Sequence, residues 1–379
     1  MDALTTPSNW QRVRLGDIAE IIGGGTPSTQ VTSFWNGSIN WFTPTEIGIT
    51  KYVYKSQRTI TPLGLKNSST KLLPIGTILL TSRASIGDCA ILKVVATTNQ
   101  GFQSLIPLEK INNEFLYYLI LTLKNKLLKF ASGSTFLEVS PNKIKNLLIP
   151  LPPLNEQSAI ANILSGLDRY LCVLDALILK KESVKKALSF ELLSQRKRLK
   201  GFNQAWQKVK LGDICEITTG SLDANEMVHY GKYRFYTCAK EYYFIDKYAF
   251  DTEAILISGN GAYVGYVHYY KGKFNAYQRT YVLDNFSEHI MFVKYFLTMF
   301  LQSHIQTNRN EGNTPYIVMA TLKDFEIPLP PLNEQIAIAN ILSALDSEII
   351  SLKNKKRQFD NIKKALNHDL MSAKIRVLK

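Results

Sequence analysis

The stretch Ile149–Asp168, IPLPPLNEQSAIANILSGLD, recurs almost unchanged as Ile327–Asp346, IPLPPLNEQIAIANILSALD. The two copies match at 18 of 20 positions, at an offset of 178 residues. A second pair opens each half, because Trp10–Glu20 (WQRVRLGDIAE) returns as Trp206–Glu216 (WQKVKLGDICE) at an offset of 196. Repeats of this length at a nearly fixed spacing indicate that the chain is built from two copies of one frame.

The residues between the repeated segments differ between the two halves. Because the offset changes from 196 to 178, the first half carries 18 more residues, and they lie between Gly24 and about Ile75. Two equal scaffolds with unlike interiors suit a protein that reads two sites on one polymer. Neutral drift after a tandem duplication is the alternative, and it predicts similar divergence in scaffold and interior. The uneven divergence favours the functional interpretation.

Each copy of the repeated segment leads into a long predicted helix. Asn155 and Asn333 are the expected N-caps, and Glu156 and Glu334 place negative charge in the first turn. Apolar residues then recur at alternating spacings of three and four, which indicates a coiled-coil seam in helices of about 45 residues. We expect the two helices to pair antiparallel, with one head at each end and approximate two-fold symmetry. The seam residues are Ile160, Leu164, Leu167, Leu171, Leu174, Ile178, Val184, Leu188, Leu192, Gln195 and Leu199 in the first helix, and Ile338, Leu342, Leu345, Ile349, Leu352, Phe359, Ile362, Leu366 and Leu370 in the second.

The composition is strongly basic, with 45 Lys and Arg against 31 Asp and Glu in 379 residues and a net charge of +14. This charge favours a polyanionic partner, although a merely soluble basic protein is the alternative. Part of the charge lies in runs on the predicted helices, where a solvated face is favoured over phosphate contact. The residues of these runs are Lys180, Lys181, Lys185, Lys186, Lys355, Lys356, Arg357, Lys363 and Lys364.

The head that precedes each helix has short apolar runs, such as Thr77–Leu80 and Ala254–Ile257, bounded by Gly, Ser and Asn. This pattern predicts mixed α/β domains. Arg suits guanine, and Asn or Gln suits adenine, because each makes two hydrogen bonds to one major-groove edge. Most tyrosines of the second head are expected to pack in the sheet and a few to contact DNA. The predicted DNA-binding residues are Arg83, Ser85, Asn99, Gln100 and Gln103 in the first head, and Asn260, Tyr263, Tyr277, Gln278 and Arg279 in the second.

The sequence predicts neither a catalytic centre nor a metal site. The four cysteines are widely spaced, without a C-x-x-C pair or a His at ligand spacing, which argues against zinc and disulfides and fits a reducing cytoplasm. Neither half has the clustered acids with a nearby Lys that a nuclease needs. Met1–Trp10 has no basic segment followed by an apolar run, and the apolar stretches are broken before membrane-spanning length. We expect a non-catalytic, cytoplasmic protein without a membrane segment.

The combination of these features resembles the specificity subunit of Type I restriction-modification enzymes. The resemblance rests on the doubled PLPPLNEQ (150–157 and 328–335), the long helices, and divergent heads that open with W-x-x-V-x-L-G-D-I. It implies a mixed α/β (α+β) chain in which two target recognition domains are separated by two long antiparallel coiled-coil helices with pseudo-two-fold symmetry. The implied boundaries are 1–150 for the first recognition domain, 151–202 for a central conserved helix, 203–328 for the second recognition domain and 329–379 for a C-terminal conserved helix.

The resemblance also implies a function and partners. Each recognition domain would read one half of a bipartite double-stranded DNA target, while the helices set the spacer and bind two methyltransferase subunits. S-adenosylmethionine would belong to those subunits, which methylate adenine N6, and ATP and Mg²⁺ to the restriction and motor subunits; this chain would bind no cofactor. Base-reading residues do not carry over from the family. A freestanding sequence-specific DNA-binding regulator and a coiled-coil scaffold without DNA specificity are the alternatives.

Overall fold

The structure is a computed structural model that describes residue 7 and residues 9–132, 137–308 and 315–377. The chain divides into two compact units. The first unit contains Met1–Asp175 together with Lys355–Lys379, and the second contains Ala176–Asn354. Each unit therefore holds one head and a part of each long helix.

The first unit contains two sheets and a separate two-stranded ladder. Its strands are β1 (Gln11–Arg14), β2 (Ala19–Gly23), β3 (Trp35–Phe42), β4 (Tyr52–Val53), β5 (Arg58–Ile60), β6 (Ile78–Leu80), β7 (Cys89–Leu92), β8 (Ala96–Thr98), β9 (Gln103–Pro107) and β10 (Leu148–Leu151). Its helices are α1 (Pro62–Lys66), α2 (Asn113–Phe130), α3 (Pro141–Lys145) and the first part of α4 (Leu154–Leu193). The five-stranded sheet has the order β2-β9-β6-β7-β4, the three-stranded sheet has the order β5-β3-β8, and β1 pairs with β10.

The second unit has one larger sheet and the same kind of ladder. Its strands are β11 (Gln207–Lys210), β12 (Glu216–Thr219), β13 (Tyr233–Tyr236), β14 (Tyr243–Ile245), β15 (Phe250–Ser258), β16 (Val267–Ala276), β17 (Thr280–Asp284) and β18 (Glu326–Leu329). Its helices are α5 (Leu211–Ile214), α6 (Ile290–Asn308), α7 (Met319–Lys323) and the first part of α8 (Leu332–Met371). The six strands of the sheet have the order β12-β17-β15-β16-β13-β14, and β11 pairs with β18.

The two heads share one strand topology. In the first, β3 runs parallel to β8, β2 antiparallel to β9, and β6 antiparallel to both β7 and β9. In the second, β13 runs parallel to β16, β12 antiparallel to β17, and β15 antiparallel to both β16 and β17. The unbroken β16 stands where the first head has β7 and β8, so one sheet replaces two. The mixed α/β class predicted from the sequence is confirmed.

The most strongly repeated segments form the ladder at the base of each head. Val13 pairs with Ile149 in the first unit, and Val209 pairs with Ile327 in the second. The next residues along the chain begin α4 and α8. The copied sequence is therefore the joint between head and helix, and the divergent sequence between its two parts is the head itself.

A separate apolar core lies under each head. In the first unit, Phe115 and Leu116 of α2 are fully buried together with Leu80 and Ile91 of the sheet. Asn112 caps α2, because its side-chain oxygen accepts a hydrogen bond of 3.0 Å from the N–H of Phe115. In the second unit the core is the same kind of layer, formed by α6 on the sheet. Each head is thus a helix-on-sheet domain.

The two long helices are confirmed, each with 40 residues. Within the first unit Lys356 pairs with Asp175 and Lys363 with Asp168, so the residue numbers rise on one helix as they fall on the other. Lys181 pairs with Glu348 in the second unit, again between antiparallel segments. The predicted N-caps are wrong, since the helices begin at Leu154 and Leu332, and Asn155 bonds the N–H of Glu156 from within the first turn.

The seam prediction is correct up to the polar break and again near the helix ends, where Leu192 is 3% and Leu370 is 1% exposed, and it is wrong for the first position after the break. Ile160, Leu164 and Ile178 are buried, but Val184 is 45% exposed and its counterpart Ile362 is 51% exposed. Lys185 and Lys363, one residue further along, are only partly exposed and pair with Asp346 and Asp168. The charged ends of these lysines reach carboxylates of the partner helix, which is why the side chains are only partly exposed. Gln195 and Leu199 follow the end of α4 at Leu193 and are not part of the helix.

By length and composition, α8 alone among helices of the described residues is apolar enough to cross a membrane, with a mean hydropathy of 1.3 in its best window. That criterion is weak evidence, because packed helices of other proteins also meet it. In α8, Ile338 and Leu342 lie in the core of the second unit. Glu334 and Asp346 form ion pairs there. Packing in the second unit therefore accounts for part of this apolar composition, since 28% of the window is buried.

Candidate nucleic-acid interface

In the first head, the candidate residues Asn99 and Gln100 lie in the turn between β8 and β9. Gln100 is exposed, and its side-chain oxygen accepts a hydrogen bond from the hydroxyl of Thr26. The Asn99 side chain accepts a bond of 2.9 Å from the N–H of Gly101 and so shapes the turn itself. Gln100 is therefore presented outward, whereas Asn99 is partly occupied within the turn.

The glycine-rich loop after β2 packs directly against this turn. A Cβ atom on Gly24 would stand 1.9 Å from the carbonyl oxygen of Asn99, so only glycine fits there. The N–H of Gly25 donates to the carbonyl of Thr98 at 2.9 Å. The loop and the turn form one surface that carries Thr26 and Gln100.

The other three candidates of the first head occupy different environments. Arg83 forms an ion pair of 2.8 Å with Glu138 and is 41% exposed. Ser85 is half-buried, and its carbonyl accepts a bond of 2.6 Å from Thr81. Gln103 is 6% exposed at the start of β9, and its side-chain oxygen has no hydrogen-bond partner among the described residues. Among the five, Gln100 is exposed and free of contacts with acidic groups of the described residues or with the sheet interior.

In the second head, Tyr277, Gln278 and Arg279 form the turn between β16 and β17, which is the place that Asn99 and Gln100 have in the first. Gln278 and Arg279 are exposed. The N–H of Gln278 donates to Leu222 at 2.9 Å, and the carbonyl of Arg279 accepts from Gly259 at 2.8 Å, so backbone contacts hold the turn. The side chains of Gln278 and Arg279 have no such contacts among the described residues. The equivalent turns thus present unlike side chains.

The remaining two candidates lie in the neighbouring loop after β15. Asn260 pairs through its backbone with Tyr316 and is half-buried. Tyr263 is 43% exposed, and the ammonium of Lys240 lies 5.1 Å from the centre of its ring. Of these two, Tyr263 offers the larger polar and aromatic surface.

The tyrosines of the second head divide between packing and exposure. Tyr236 is 2% exposed and packs edge to face against Phe274, with ring centres 6.0 Å apart. Tyr281 is buried, and its hydroxyl donates to the carbonyl of Ile317 at 2.9 Å. Tyr230, in contrast, is 95% exposed. Sheet packing accounts for the tyrosines within the core, as the alternating pattern predicts.

A buried ion pair that was not predicted from the sequence lies at the base of each head. In the first unit, the carboxylate of Glu156 is buried and accepts bonds from Arg376 at 2.7 and 3.0 Å and from the indole of Trp10 at 3.1 Å. Arg198 is the corresponding arginine of the second unit, and it precedes Arg376 by 178 residues, which is the offset of the repeated segment. The common offset of the repeat was the signal that would have found them.

The second unit repeats this arrangement. Glu334 is buried and accepts bonds from Arg198 at 3.2 and 2.5 Å and from Trp206 at 3.3 Å. In both units the glutamate lies in the first turn of one long helix and the arginine follows the end of the other. The pair therefore fixes the head, the start of one helix and the end of the other together.

A second duplicated network joins the helix of each head to the long helices. In the first unit, the hydroxyl of Tyr118 bonds Asp168 and lies 3.2 Å from that of Ser165, and Lys363 pairs with the same aspartate. Burial and the bond to Asp168 raise the pKa of Tyr118. Lys51 of the longer first head adds bonds of 2.9 Å to Tyr118 and 2.8 Å to Ser165.

In the second unit, Tyr295 bonds Asp346 at 2.7 Å and lies 3.1 Å from Ser343, and Lys185 completes the network. Burial alone would raise the pKa of Asp346, but the bonds from Lys185 and Tyr295 outweigh burial and lower it. Lys185 and Lys363 therefore neither form a solvated face nor remain available for phosphate, because carboxylates of the partner helix pair with them. Lys180, Lys186 and Lys364 are exposed.

No group of three or more His, Cys, Asp or Glu side chains is arranged to hold a metal ion among the residues that the structure describes.

The family model for the Type I restriction modification DNA specificity domain matches residues 7–180 and 203–359, once in each half. The chain is 29% identical to the Type I restriction enzyme MjaIX specificity subunit of Methanocaldococcus jannaschii, over 98% of this chain and 94% of that protein. It is 38% identical to the EcoDI specificity subunit of Escherichia coli, over 44% of this chain and 37% of that protein.

Two solved structures show the same fold at low identity. The S subunit of a Type I restriction-modification system from M. genitalium has a TM-score of 0.65 and 19% identity, with 97% of both chains covered. The HsdS subunit from Thermoanaerobacter tengcongensis has a TM-score of 0.53 and 19% identity, over 96% of this chain and 97% of the other. With a DNA specificity domain matched in each half and relatives along its whole length, this chain belongs to the family of Type I restriction-modification specificity subunits.

Proposed function

We propose that the two heads of this specificity subunit are target recognition domains that read the two halves of a bipartite duplex target. The observation that carries the proposal is the turn between β8 and β9 and its equivalent between β16 and β17. Both join equivalent strands, both expose a glutamine, and their other side chains differ. A common frame that presents unlike side chains from one position is suited to reading unlike sequences.

Within this proposal, the exposed turn residues are the foremost base readers. Gln100 and Gln278 each offer an amide that can donate to and accept from one adenine edge, and Arg279 can donate twice to guanine. Arg83 would have to leave Glu138 to contact DNA, and Gln103 would have to leave its buried position. Ser85, Asn99, Asn260, Tyr263 and Tyr277 remain proposed contacts to base edges or phosphates.

The proposed domain boundaries are those expected from the sequence: heads over 1–150 and 203–328, and conserved helices over 151–202 and 329–379. The helices would set the distance between the half-sites and bind two methyltransferase subunits. Chemistry would lie in the partners, with S-adenosylmethionine in the methyltransferase subunits, and ATP and Mg²⁺ in the restriction and motor subunits. This chain would be a non-catalytic, cytoplasmic subunit that binds no cofactor.

The decisive experiment maps methylated adenines in the host genome with the wild-type chain and with two variants, Gln100→Ala and Gln278→Ala. The expected result is a split target in which each variant relaxes one half-sequence and leaves the other unchanged. A continuous target, or loss of both halves from one variant, would overturn the assignment of one head to one half.

The spacer is tested separately by deleting one heptad from the middle of each long helix. The permitted spacer should change while both half-sequences stay the same. A freestanding DNA-binding regulator, the alternative function, would bind its target without a methyltransferase subunit. Co-purification from the host with a methyltransferase subunit supports the proposal, and its absence supports the regulator.

A further inference from the structure

An exposed arginine of the first head is held against two tryptophan rings. Arg58 lies on β5, and its guanidinium carbon stands 3.8 Å from the ring centre of Trp35 and 5.3 Å from that of Trp41. The two indoles are buried and pack edge to face, with ring centres 5.0 Å apart. No carboxylate among the described residues forms an ion pair with Arg58. The tryptophan rings orient the guanidinium group, and its N–H groups are not paired with a carboxylate of the described residues.

The same tryptophans connect Arg58 to the surface that carries Gln100. Trp41 and Trp35 donate their indole N–H groups to the carbonyls of the first and last residues of the loop 25–28, at 2.9 and 3.0 Å. The threonine of this loop bonds the side chain of Gln100. One short loop therefore links both side chains, and the tryptophans fix the positions of the loop and of Arg58 together.

The second head has an arginine in a similar environment on different rings, but on the other strand of the corresponding pair, because Arg58 lies on β5. Arg234 lies on β13, the counterpart of β3, next to β16. Its guanidinium carbon stands 4.2 Å from the ring centre of Tyr242 and 4.5 Å from that of Tyr270, and it donates to the hydroxyl of Tyr236 at 3.3 Å. Arg234 also has no ion pair with a carboxylate among the described residues.

This arrangement differs from that of the arginines with structural partners. Arg83 is paired with Glu138, and Arg198 is paired with a buried carboxylate. A guanidinium stacked on a ring keeps its planar fork of N–H donors at the edge, where it matches an acceptor pair bidentately. The ring also reduces the side-chain entropy lost when a ligand binds.

We propose that Arg58 and Arg234 are DNA-contact residues, one for each head, that bind a two-acceptor group of the duplex. The inference rests on the proposed function and deepens it. The acceptors can be the O6 and N7 atoms of a guanine or two oxygens of a phosphate, which share the geometry that a guanidinium fork recognises.

The test uses the full chain with its methyltransferase subunit and duplexes that carry the mapped target, altered one base pair at a time. The variants are Arg58→Gln, Arg58→Lys, Arg234→Gln and Arg234→Lys. Arg12→Gln, at an exposed position of β1 in the first unit, is the matched control for a lost positive charge. We expect each glutamine variant to weaken target binding by about 10- to 100-fold relative to this control.

The lysine variants distinguish the two acceptors. If Arg58 contacts a guanine, Arg58→Lys does not restore binding, and discrimination is lost at one G·C pair of the first half-site only. If it contacts a phosphate, Arg58→Lys restores most of the affinity, and the loss is equal for all duplexes, with a salt slope reduced by about one. Either result supports the contact, and Arg234 should behave in the same way in the other half-site.

Failure of this inference is separable from failure of the proposed function. A wild-type complex that does not prefer the split target overturns the function itself. A wild-type complex that does prefer it, while the folded Arg58→Gln and Arg234→Gln variants bind every duplex as tightly as the control, overturns only the assignment of these two arginines.

Discussion

Replacing Arg198 with alanine should open the base of the second head. Arg198 makes two bonds to the carboxylate of Glu334, and the indole of Trp206 makes a third. Glu334 is fully buried in the first turn of α8, so the substitution leaves a buried carboxylate without a cation. The loss comes mainly from that uncompensated charge and only secondarily from the lost contact.

The expected cost is about 3 kcal/mol, the lower end of the range for breaking a buried pair, because Arg198 is 27% exposed and water can replace part of it. The surface pair Lys208–Glu326, with a separation of 3.4 Å and side chains 76% and 60% exposed, provides the matched control. Lys208→Ala should change local stability by no more than about 0.5 kcal/mol, since an exposed ion pair contributes little.

Hydrogen exchange of the full chain, followed by mass spectrometry, measures the opening of β11, β18 and the start of α8. We expect these segments to exchange about 100-fold faster in the Arg198→Ala variant. The double variant Arg198→Ala with Glu334→Gln should recover part of the protection, because it removes the buried charge as well. If Arg198→Ala exchanges no faster than Lys208→Ala, the buried pair does not hold the joint and the reasoning is refuted.

Three further predictions concern the packing of the long helices, the Asp346 network and the glycine-rich loop of the first head. In the same exchange experiment, Val184→Gln should alter stability by less than about 0.5 kcal/mol because Val184 is 45% exposed, whereas Leu342→Ala should cost about 3 kcal/mol. Because the pKa of Asp346 lies below its ordinary 3.8, its contribution is present at neutral pH and is lost as the pH falls below 3.8 through the folded value, so Asp346→Asn should flatten acid unfolding of the second unit. Gly24→Ala should weaken reading of the first half-site and not of the second, because the added Cβ would meet the carbonyl of Asn99 at 1.9 Å; equal loss in both halves would contradict this.

The sequence by itself determined the duplicated frame, the class of the heads, the existence of the two long helices and the family. Repetition at fixed offsets and apolar spacing are local properties, so they are legible without a structure. The exposed Gln100 and Gln278 were also within reach, because the offset aligns them between predicted strands. The same offset relates Arg198 to Arg376, but no pattern in the neighbouring sequence indicated which carboxylate would form an ion pair with either arginine.

The tertiary structure alone decided which residue lies against the partner helix directly after the polar break and which partners the charged side chains have. The heptad pattern pointed to Val184, but Lys185 faces the partner helix because Asp346 offers it a carboxylate from 161 residues away. In the same way, Glu156 meets Arg376 across 220 residues, and Arg58 meets Trp35 only because β5 pairs with β3. Contacts between distant residues depend on how the folded elements pack, and no local spacing in the chain encodes that choice.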